Sequence, residues 1–498
     1  MNTLLIFPFS IVAWNDKFEE PRLPLNITYL GAAARKAGHQ VSLMDLRMEQ
    51  QIRNFDMPKS MEDATVKTLT DLMDAEIAKS EIKVVGINCL YSGLFPPLRH
   101  LATHIKKQNP DIKVVIGGIH PTIYTKEILD KHSDIIDFVI NGEGEKSFVD
   151  LLAYLEGKGV AELSAIGGLG YRQDGESIVT PRGAFIEDLD GMDFPAVDLL
   201  NVENYYTDTS GWYSPKGQNI KTPVPILSSR SCPIECNFCS MHFVHGDRAR
   251  YRSPEDVVEE MKMYIDTYGL RYFNITDDNL TINRKRLVKL MDLIVKENLD
   301  IQFSTENGVY INGLNEEVMD AMSSAGLARL HLAFESGSDY IRNEVIGKKT
   351  YNKKIDEIKD LVKLEKYNHI YLYGYFILGF PEETLETLAD TAKLITTFPL
   401  DNYSLFYAIP FPGTRLFDQC VKDKLFMEDY FYDQDALLNQ VNVGQMVTGL
   451  PSIRPYNLAI EDLMAFKEKY MKFIDDKRKN SGRPGSSPLS REMEQIVI

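Results

Sequence analysis

The sequence predicts an α/β protein built as an N-terminal doubly wound (Rossmann-like) domain, a partial (β/α)6 TIM-like barrel and a mainly helical C-terminal region. Three observations carry this. Short apolar runs alternate with amphipathic stretches through residues 1–157, the pattern of a parallel sheet with crossover helices. The alternation resumes six times between residues 223 and 412. Directly after the first run of that second series lies Ser231-Cys232-Pro233-Ile234-Glu235-Cys236-Asn237-Phe238-Cys239, holding three of the five cysteines in a C-x3-C-x2-C spacing. The expected limits are 1–157 for the first domain, 158–221 for a linker with a small hairpin and 222–415 for the barrel. A helical region at 416–479 and an unstructured tail at 480–498 complete the chain.

At 498 residues, with 44% hydrophobic and 26% charged side chains, the chain can bury two or three cores. Its net charge of −17 argues against an extended nucleic-acid or anionic-membrane surface, which needs clustered Lys and Arg. No apolar run approaches the ~20 residues of a membrane span. The stretch 4–14 lacks a basic lead and contains Pro8, so it reads as a buried strand rather than a signal segment. Few cysteines and no secretion signal point to a reducing compartment, the cytoplasm.

In the first domain, strands are expected at 3–8, 41–45, 83–89, 113–117 and 136–141, with helices at 25–38, 98–108 and 126–133. The helix 25–38 is read from Ile27, Leu30, Ala33 and Ala34 and is closed by Gly38. A doubly wound sheet binds its ligand on loops beyond the carboxyl ends of its strands. Those loops are 21–25, with Pro24 and Leu25; 88–97, with Cys89 and Ser92; Gly117-Gly118-Ile119-His120-Pro121-Thr122; and Asn141-Gly142-Glu143-Gly144-Glu145. Any one alone is an ordinary turn, but four on one edge point to a large cofactor. In the linker, strand-like 169–172 and 177–180 flank Gln173-Asp174-Gly175-Glu176, a hairpin turn.

The barrel strands are expected at 223–228, 271–276, 301–305, 329–334, 370–380 and 402–409. A helix at 254–267 is signed by Ser253 as cap, Pro254 at its first position, Glu255 and Asp256 at its positive end, and a stripe of Val257, Val258, Met261, Tyr264 and Ile265. Chemistry in such a barrel belongs at the carboxyl ends of the strands. The cysteine loop lies there, as do Asp277-Asp278-Asn279, Ser304-Thr305-Glu306-Asn307-Gly308, Glu335-Ser336-Gly337-Ser338 and Gly379-Phe380-Pro381-Glu382-Glu383-Thr384. Most of these also read as helix caps. Glu335 follows the apolar run 330–334, where a carboxylate facing the barrel needs a partner. Three thiolates on one loop suit three corners of a cubane iron–sulfur cluster, leaving one iron open. A structural zinc would need a fourth ligand, for which His242 is the candidate. The aromatic residues Phe426, Tyr430, Phe431 and Tyr432 read as core or as a lid over an apolar substrate, and an amphipathic helix is expected at 458–474.

The cysteine motif, with Phe238 just before its last cysteine, resembles the radical S-adenosylmethionine (SAM) superfamily. Most of the first 150 residues resemble the cobalamin-binding domain that precedes the barrel in one branch of it. The resemblance rests on Pro24-Leu25 with Tyr29-Leu30, Arg35-Lys36-Ala37-Gly38-His39, the GGIHPT run and the NGEGE run. It implies three cofactors: a [4Fe-4S] cluster, SAM and cobalamin. Cys232, Cys236 and Cys239 would ligate the cluster. Phe238 would lie against adenine, Asp277, Asp278 and Asn279 would replace an absent G-G-E amine contact, Glu306, Glu335 and Ser336 would contact SAM, and Ile377 and Gly379 would flank its adenine. Arg252 would pair with a carboxylate of SAM or substrate, or with the acidic helix after it. Pro24, Leu25, Cys89, Ser92, Gly117, Gly118, His120, Pro121, Thr122, Gly142, Glu143, Gly144 and Glu145 would hold cobalamin.

No D-x-H-x-x-G occurs, so the resemblance implies cobalamin without a histidine below its cobalt, and His120 is not that ligand. Cys89 is either near cobalt or a buried structural cysteine. The implied activity is reductive SAM cleavage followed by methyl transfer to an unactivated carbon or phosphorus centre. A cyclase or ring-rearranging enzyme with the same cofactors is the alternative, and an inert cluster- or zinc-binding module a third. A methylthiotransferase would need a second cysteine cluster, where only Cys89 is present. The implied partners are a small-molecule substrate and an external flavodoxin- or ferredoxin-like electron donor.

Overall fold

The computed structural model describes residues 1–10, 22–55, 58, 60–206, 222–427 and 450–480. Expectations for Pro21, for 207–221, for Tyr430, Phe431 and Tyr432, and for the tail beyond 480 lie outside the described residues. The chain divides into two compact units, the first comprising residues 1–205 together with Phe243–Gly246.

The first unit is organised on a seven-stranded sheet. Its strands are β1 (Asn2–Phe7), β2 (Gln40–Asp45), β3 (Val84–Asn88), β4 (Lys113–Gly117), β5 (Phe138–Ile140), β6 (Leu169–Gln173) and β7 (Glu176–Val179), in the order β2-β1-β3-β4-β5-β6-β7. The first five pair in parallel. The central strands β1 and β3 read as apolar runs because both faces are covered, and Leu4, Leu5, Ile6, Val84, Val85 and Ile87 are all buried, whereas the edge strand β2 is only partly covered. The hairpin expected in the linker forms, with Asp174 and Gly175 both at positive φ in its turn. It adds antiparallel to β5 as the edge of this sheet. Chain direction switches between β1 and β3, which puts the ligand crevice at the carboxyl ends of the strands.

The helices Leu46–Ile52, Ala64–Lys79, Ile119–Ile123 and Glu145–Leu155 were not expected from sequence. In Ala64–Lys79, Asp63 caps the amide of Thr65, and Val66, Leu69 and Met73 are buried.

The second unit contains six parallel strands: β8 (Val224–Ile226), β11 (Tyr272–Ile275), β12 (Gln302–Ser304), β13 (Leu327–Glu335), β14 (Tyr371–Leu378) and β15 (Asn402–Tyr407). Their order is β15-β14-β13-β12-β11-β8, the sequential winding of a partial barrel. A two-residue antiparallel ladder, β9 (Ser229–Arg230) with β10 (Arg250–Tyr251), lies beside it. Alternate residues along the strands separate two environments. Phe273, Phe334 and Phe376 are buried, Phe273 against Tyr264 of the flanking helix Pro254–Tyr268. The intervening positions are polar: Ser304 lies 3.3 Å from Asn274, and the Tyr373 hydroxyl lies 2.7 Å from that of Ser404. The helix Pro254–Tyr268 carries its expected cap, with Ser253 accepting from the amide of Asp256, and ends on Gly269 at φ 67°. The helix Ile460–Asn480 packs on β15, where the Tyr403 hydroxyl donates to the Tyr470 carbonyl. Phe426 is buried, with its ring 5.5 Å from Phe417, which is the core reading of that residue. No described helix is long and apolar enough to cross a membrane.

Candidate active site

The cysteine segment leaves β8 and β9 at the carboxyl end of the barrel and is braced by the loop after β11. Asp277 Oδ1 accepts the amides of Ser228 at 2.6 Å and Ser229 at 3.0 Å, and its Oδ2 accepts both serine hydroxyls at 2.6 Å. Asp278 accepts the amide of Ser231 at 2.8 Å, and Asn279 Nδ2 lies 3.3 Å from Cys232 Sγ. Arg286 adds a second clamp, donating to the Ser228 carbonyl at 2.7 Å and the Arg252 carbonyl at 2.8 Å. On the far side of the loop the Asn237 amide donates to the Ile346 carbonyl, the Leu416 amide donates to the Asn237 carbonyl, and the Phe238 ring lies 6.0 Å from Phe380.

Burial pushes all three thiols up, Cys236 to about 12 and Cys239 to about 11. The ammonium of Lys348 opposes this at Cys236, and the Asn279 amide opposes it at Cys232. Protonated buried thiols become thiolates when a cation meets them, so loading such a site releases protons. Among the described residues no three His, Cys, Asp or Glu side chains converge as the shell of a single ion would. Three thiols carried on one braced loop suit three separate irons of one cubane.

The remaining strand ends are equally built. Glu335 ends β13 at φ 64°, at an irregularity in its pairing with β14, and its buried carboxylate accepts from Lys348. Ser336 is bound into the loop, its hydroxyl lying 3.2 Å from that of Thr391. The fully buried Arg342 ties the same loop down through the carbonyls of Ser336 and Thr350 and the side chain of Asn352. Glu306 is buried after β12, with its amide donating to Asn274 Oδ1 at 2.9 Å. After β14, Ile377 is buried and Gly379 takes φ 84°, where its amide donates to Glu383 at 3.2 Å. Burial raises the Glu383 carboxyl to about 7, against the hydrogen bonds from Thr387 and Gly379.

In the first unit three of the four expected loops, 88–97, 117–122 and 141–145, interlock. Gly118 stands at φ 117°, and a β-carbon there would meet the Cys89 carbonyl oxygen at 2.4 Å, so only glycine allows the two loops this approach. Thr122 Oγ1 accepts the amide of Gly142, and the Thr122 carbonyl accepts from Asn141. Pro24 precedes the helix Leu25–Lys36 and accepts the amide of Thr28, while Pro121 accepts from the Thr125 hydroxyl. Gly144 and Glu145 open the helix Glu145–Leu155. Glu143 accepts the amide of Ile186 at 3.0 Å and lies 3.1 Å from His245 Nδ1. His120 sits between the rings of Phe95 and Tyr124, with Nδ1 3.0 Å from the Ser92 hydroxyl, and burial lowers it to about 3, so it is neutral. Cys89 is fully buried, and burial pushes its thiol well up. Asn88 Nδ2 and His120 Nε2 are buried without a hydrogen-bond partner. Orphaned polar groups at the carboxyl ends of β3 and β4 fit a large polar ligand such as an amide-rimmed corrinoid.

The sequence matches the Radical SAM superfamily over residues 226–395 and the B12 binding domain over residues 13–152. It is 31% identical over 428 residues to the uncharacterized methyltransferase PH0819 of Pyrococcus horikoshii, spanning 86% of this chain and 84% of that one. The chain belongs to the cobalamin-dependent radical SAM family, in its methyltransferase branch. This radical SAM methyltransferase is also 25% identical over 461 residues to the cytidylyl-2-hydroxyethylphosphonate methyltransferase of Streptomyces wedmorensis, covering 86% and 82% of the two chains. An anaerobic magnesium-protoporphyrin IX monomethyl ester cyclase of Rubrivivax gelatinosus is 28% identical over 362 residues, 72% of this chain and 62% of the cyclase. The fold is that of the radical SAM methyltransferase TsrM from Kitasatospora setae, solved with cobalamin and a [4Fe-4S] cluster: TM-score 0.64 at 18% identity, over 84% of this chain and 75% of that one. The cofactors of the family are the cluster, SAM and cobalamin.

Several expected site residues have other work in this radical SAM methyltransferase. Asp277 engages both carboxylate oxygens with Ser228 and Ser229 and so braces the cysteine segment. Asp278 and Asn279 likewise face that segment. Arg252 pairs with Asp256 and Glu260, the second of its two expected roles. Lys348, Arg342, Arg286 and His245 went unnoticed in the sequence. Arg286 and His245 act on partners far off along the chain, whereas Arg342 and Lys348 act within their own loop, where the one available hint was that a buried Glu335 needs a cation.

Proposed function

We propose that this enzyme splits SAM at a cluster held by Cys232, Cys236 and Cys239, and methylates an unactivated carbon or phosphorus centre of a small molecule. The observation that carries the reading is the three-thiol loop at the barrel's carboxyl end, clamped by the loop after β11 and by residues 346 and 416. Bound there, the cluster supplies the electron for SAM cleavage, while cobalamin on the first unit carries the methyl group. The chain's own part is to position and to exclude water. Glu335, oriented by Lys348, and Glu306 offer carboxylates for the ammonium or ribose of SAM. Phe238, Ile377 and Gly379 offer an apolar seat for adenine. The loops carrying Pro24, Leu25, Ser92, Gly117, Gly118, Pro121, Thr122, Gly142, Gly144 and Glu145 form the corrinoid cradle, to which Asn88 and His120 present free polar atoms. An external flavodoxin- or ferredoxin-like protein delivers the electrons, in the cytoplasm.

The cyclase relative supports a second reading with the same cofactors and no methyl transfer. Turnover of the anaerobically reconstituted enzyme with methyl-labelled SAM and a metabolite extract separates the two. Label in a new product, lost in C236A, is expected. An unlabelled product of altered mass would favour cyclisation, and undiminished turnover by C236A would overturn the cluster assignment.

A further inference from the structure

Three consecutive side chains after β11 grip the segment that leads into the cysteines, and each grips a different point. Asp277 holds Ser228 and Ser229, Asp278 holds the amide of Ser231, and Asn279 reaches the Cys232 sulfur itself at 3.3 Å. The grip has strain to hold, since Ser231, the residue that aims Cys232, stands at φ 74° in the left-handed region. Asn279 is 3% exposed, so its amide is shielded from competing water. An iron-bound cysteine sulfur carries no proton and can only accept. Asn279 must then turn its N–H towards Cys232, with its Oδ1 on the side of the Thr281 hydroxyl.

We propose that Asn279 is a positioning residue for the cluster: it fixes Cys232 Sγ through an N–H···S hydrogen bond and raises the cluster's reduction potential, and it does not contact SAM. A donor on a ligand sulfur draws charge from the thiolate, which favours the more negative, reduced state of the cluster. The inference rests on the assignment of Cys232 as a cluster ligand.

The test uses the full-length reconstituted enzyme, with the [4Fe-4S]2+/+ couple titrated by electron paramagnetic resonance in wild type, N279S, N279A and N279D. Potentials should fall in that order, as donor capacity declines and a negative charge replaces it. The change in the reduced-cluster spectrum on adding SAM should persist in N279S and N279A. An unchanged potential in N279A or N279D with the cluster intact overturns the proposal, as does loss of the SAM-induced spectral change at an unchanged potential. Should the variants fail to hold a cluster, wild type labelled with 15N in asparagine side chains must show a nitrogen coupled to the reduced cluster, and its absence overturns the proposal equally. Iron and sulfide content of C232A separates the two levels. A full cluster in C232A refutes the ligand assignment, whereas cluster loss there with flat potentials across the Asn279 series refutes only the hydrogen bond.

Discussion

Glu383 shows what one buried carboxyl does at a strand end. It receives the Gly379 amide and the Thr387 hydroxyl, yet burial outweighs both and raises it to about 7. A carboxyl whose folded pKa exceeds its unfolded value binds its proton more tightly in the native state. Its contribution to stability is full below the unfolded value near 4.5 and declines as pH rises through about 7. The loss is on the order of 3 kcal/mol. E383Q, neutral throughout, should flatten the fall in melting temperature between pH 5 and 8, read by calorimetry at several pH values. At this scale legibility followed sequence distance. The three cysteines share one short segment and declared their chemistry together. Asp277 looked like a ligand contact because its serine partners lie almost fifty residues earlier, and nothing local reveals that its oxygens are occupied.

Elements were legible where one face repeats. Every parallel strand of both sheets was expected from the sequence; the central ones of the first unit, β1 and β3, read most plainly because burial on two sides leaves no polar alternation to confuse the reading. The helix Ala64–Lys79 escaped because Thr and charged residues dilute its stripe of Val66, Leu69 and Met73. Loops were legible as glycine signals but not as contacts. The approach of Gly118 to the Cys89 carbonyl is the sharpest case. G118A places a β-carbon against backbone in a conformation that L-residues avoid, at a cost on the order of 3 kcal/mol. Corrinoid uptake, followed by its visible absorption, should drop sharply in this variant while iron and sulfide content per chain stay at the wild-type level. Loss of iron together with corrinoid would show that the effect is not confined to the first unit's loops.

For the molecule as a whole, the order of the two α/β units was plain from the two series of alternating runs. The hairpin β6–β7 was placed in a linker because its two strands and turn are local signals, whereas its pairing with β5 is a long-range fact. The net charge of −17 now has a physical corollary: self-repulsion falls as salt screens it. Thermal stability should therefore rise modestly from low ionic strength to 0.15 M salt in a melting series. A fall would mean that surface ion pairs, such as Lys67–Asp71, outweigh the repulsion.

The clasp on the cysteine segment is built from serine, aspartate, asparagine and arginine groups. Bonds of that kind do not themselves require iron, so cluster loading should behave as a delivery step that can follow synthesis. Stripping the iron with a chelator should leave the barrel's far-ultraviolet circular dichroism intact. Fresh iron and sulfide should restore the charge-transfer absorption without a refolding lag.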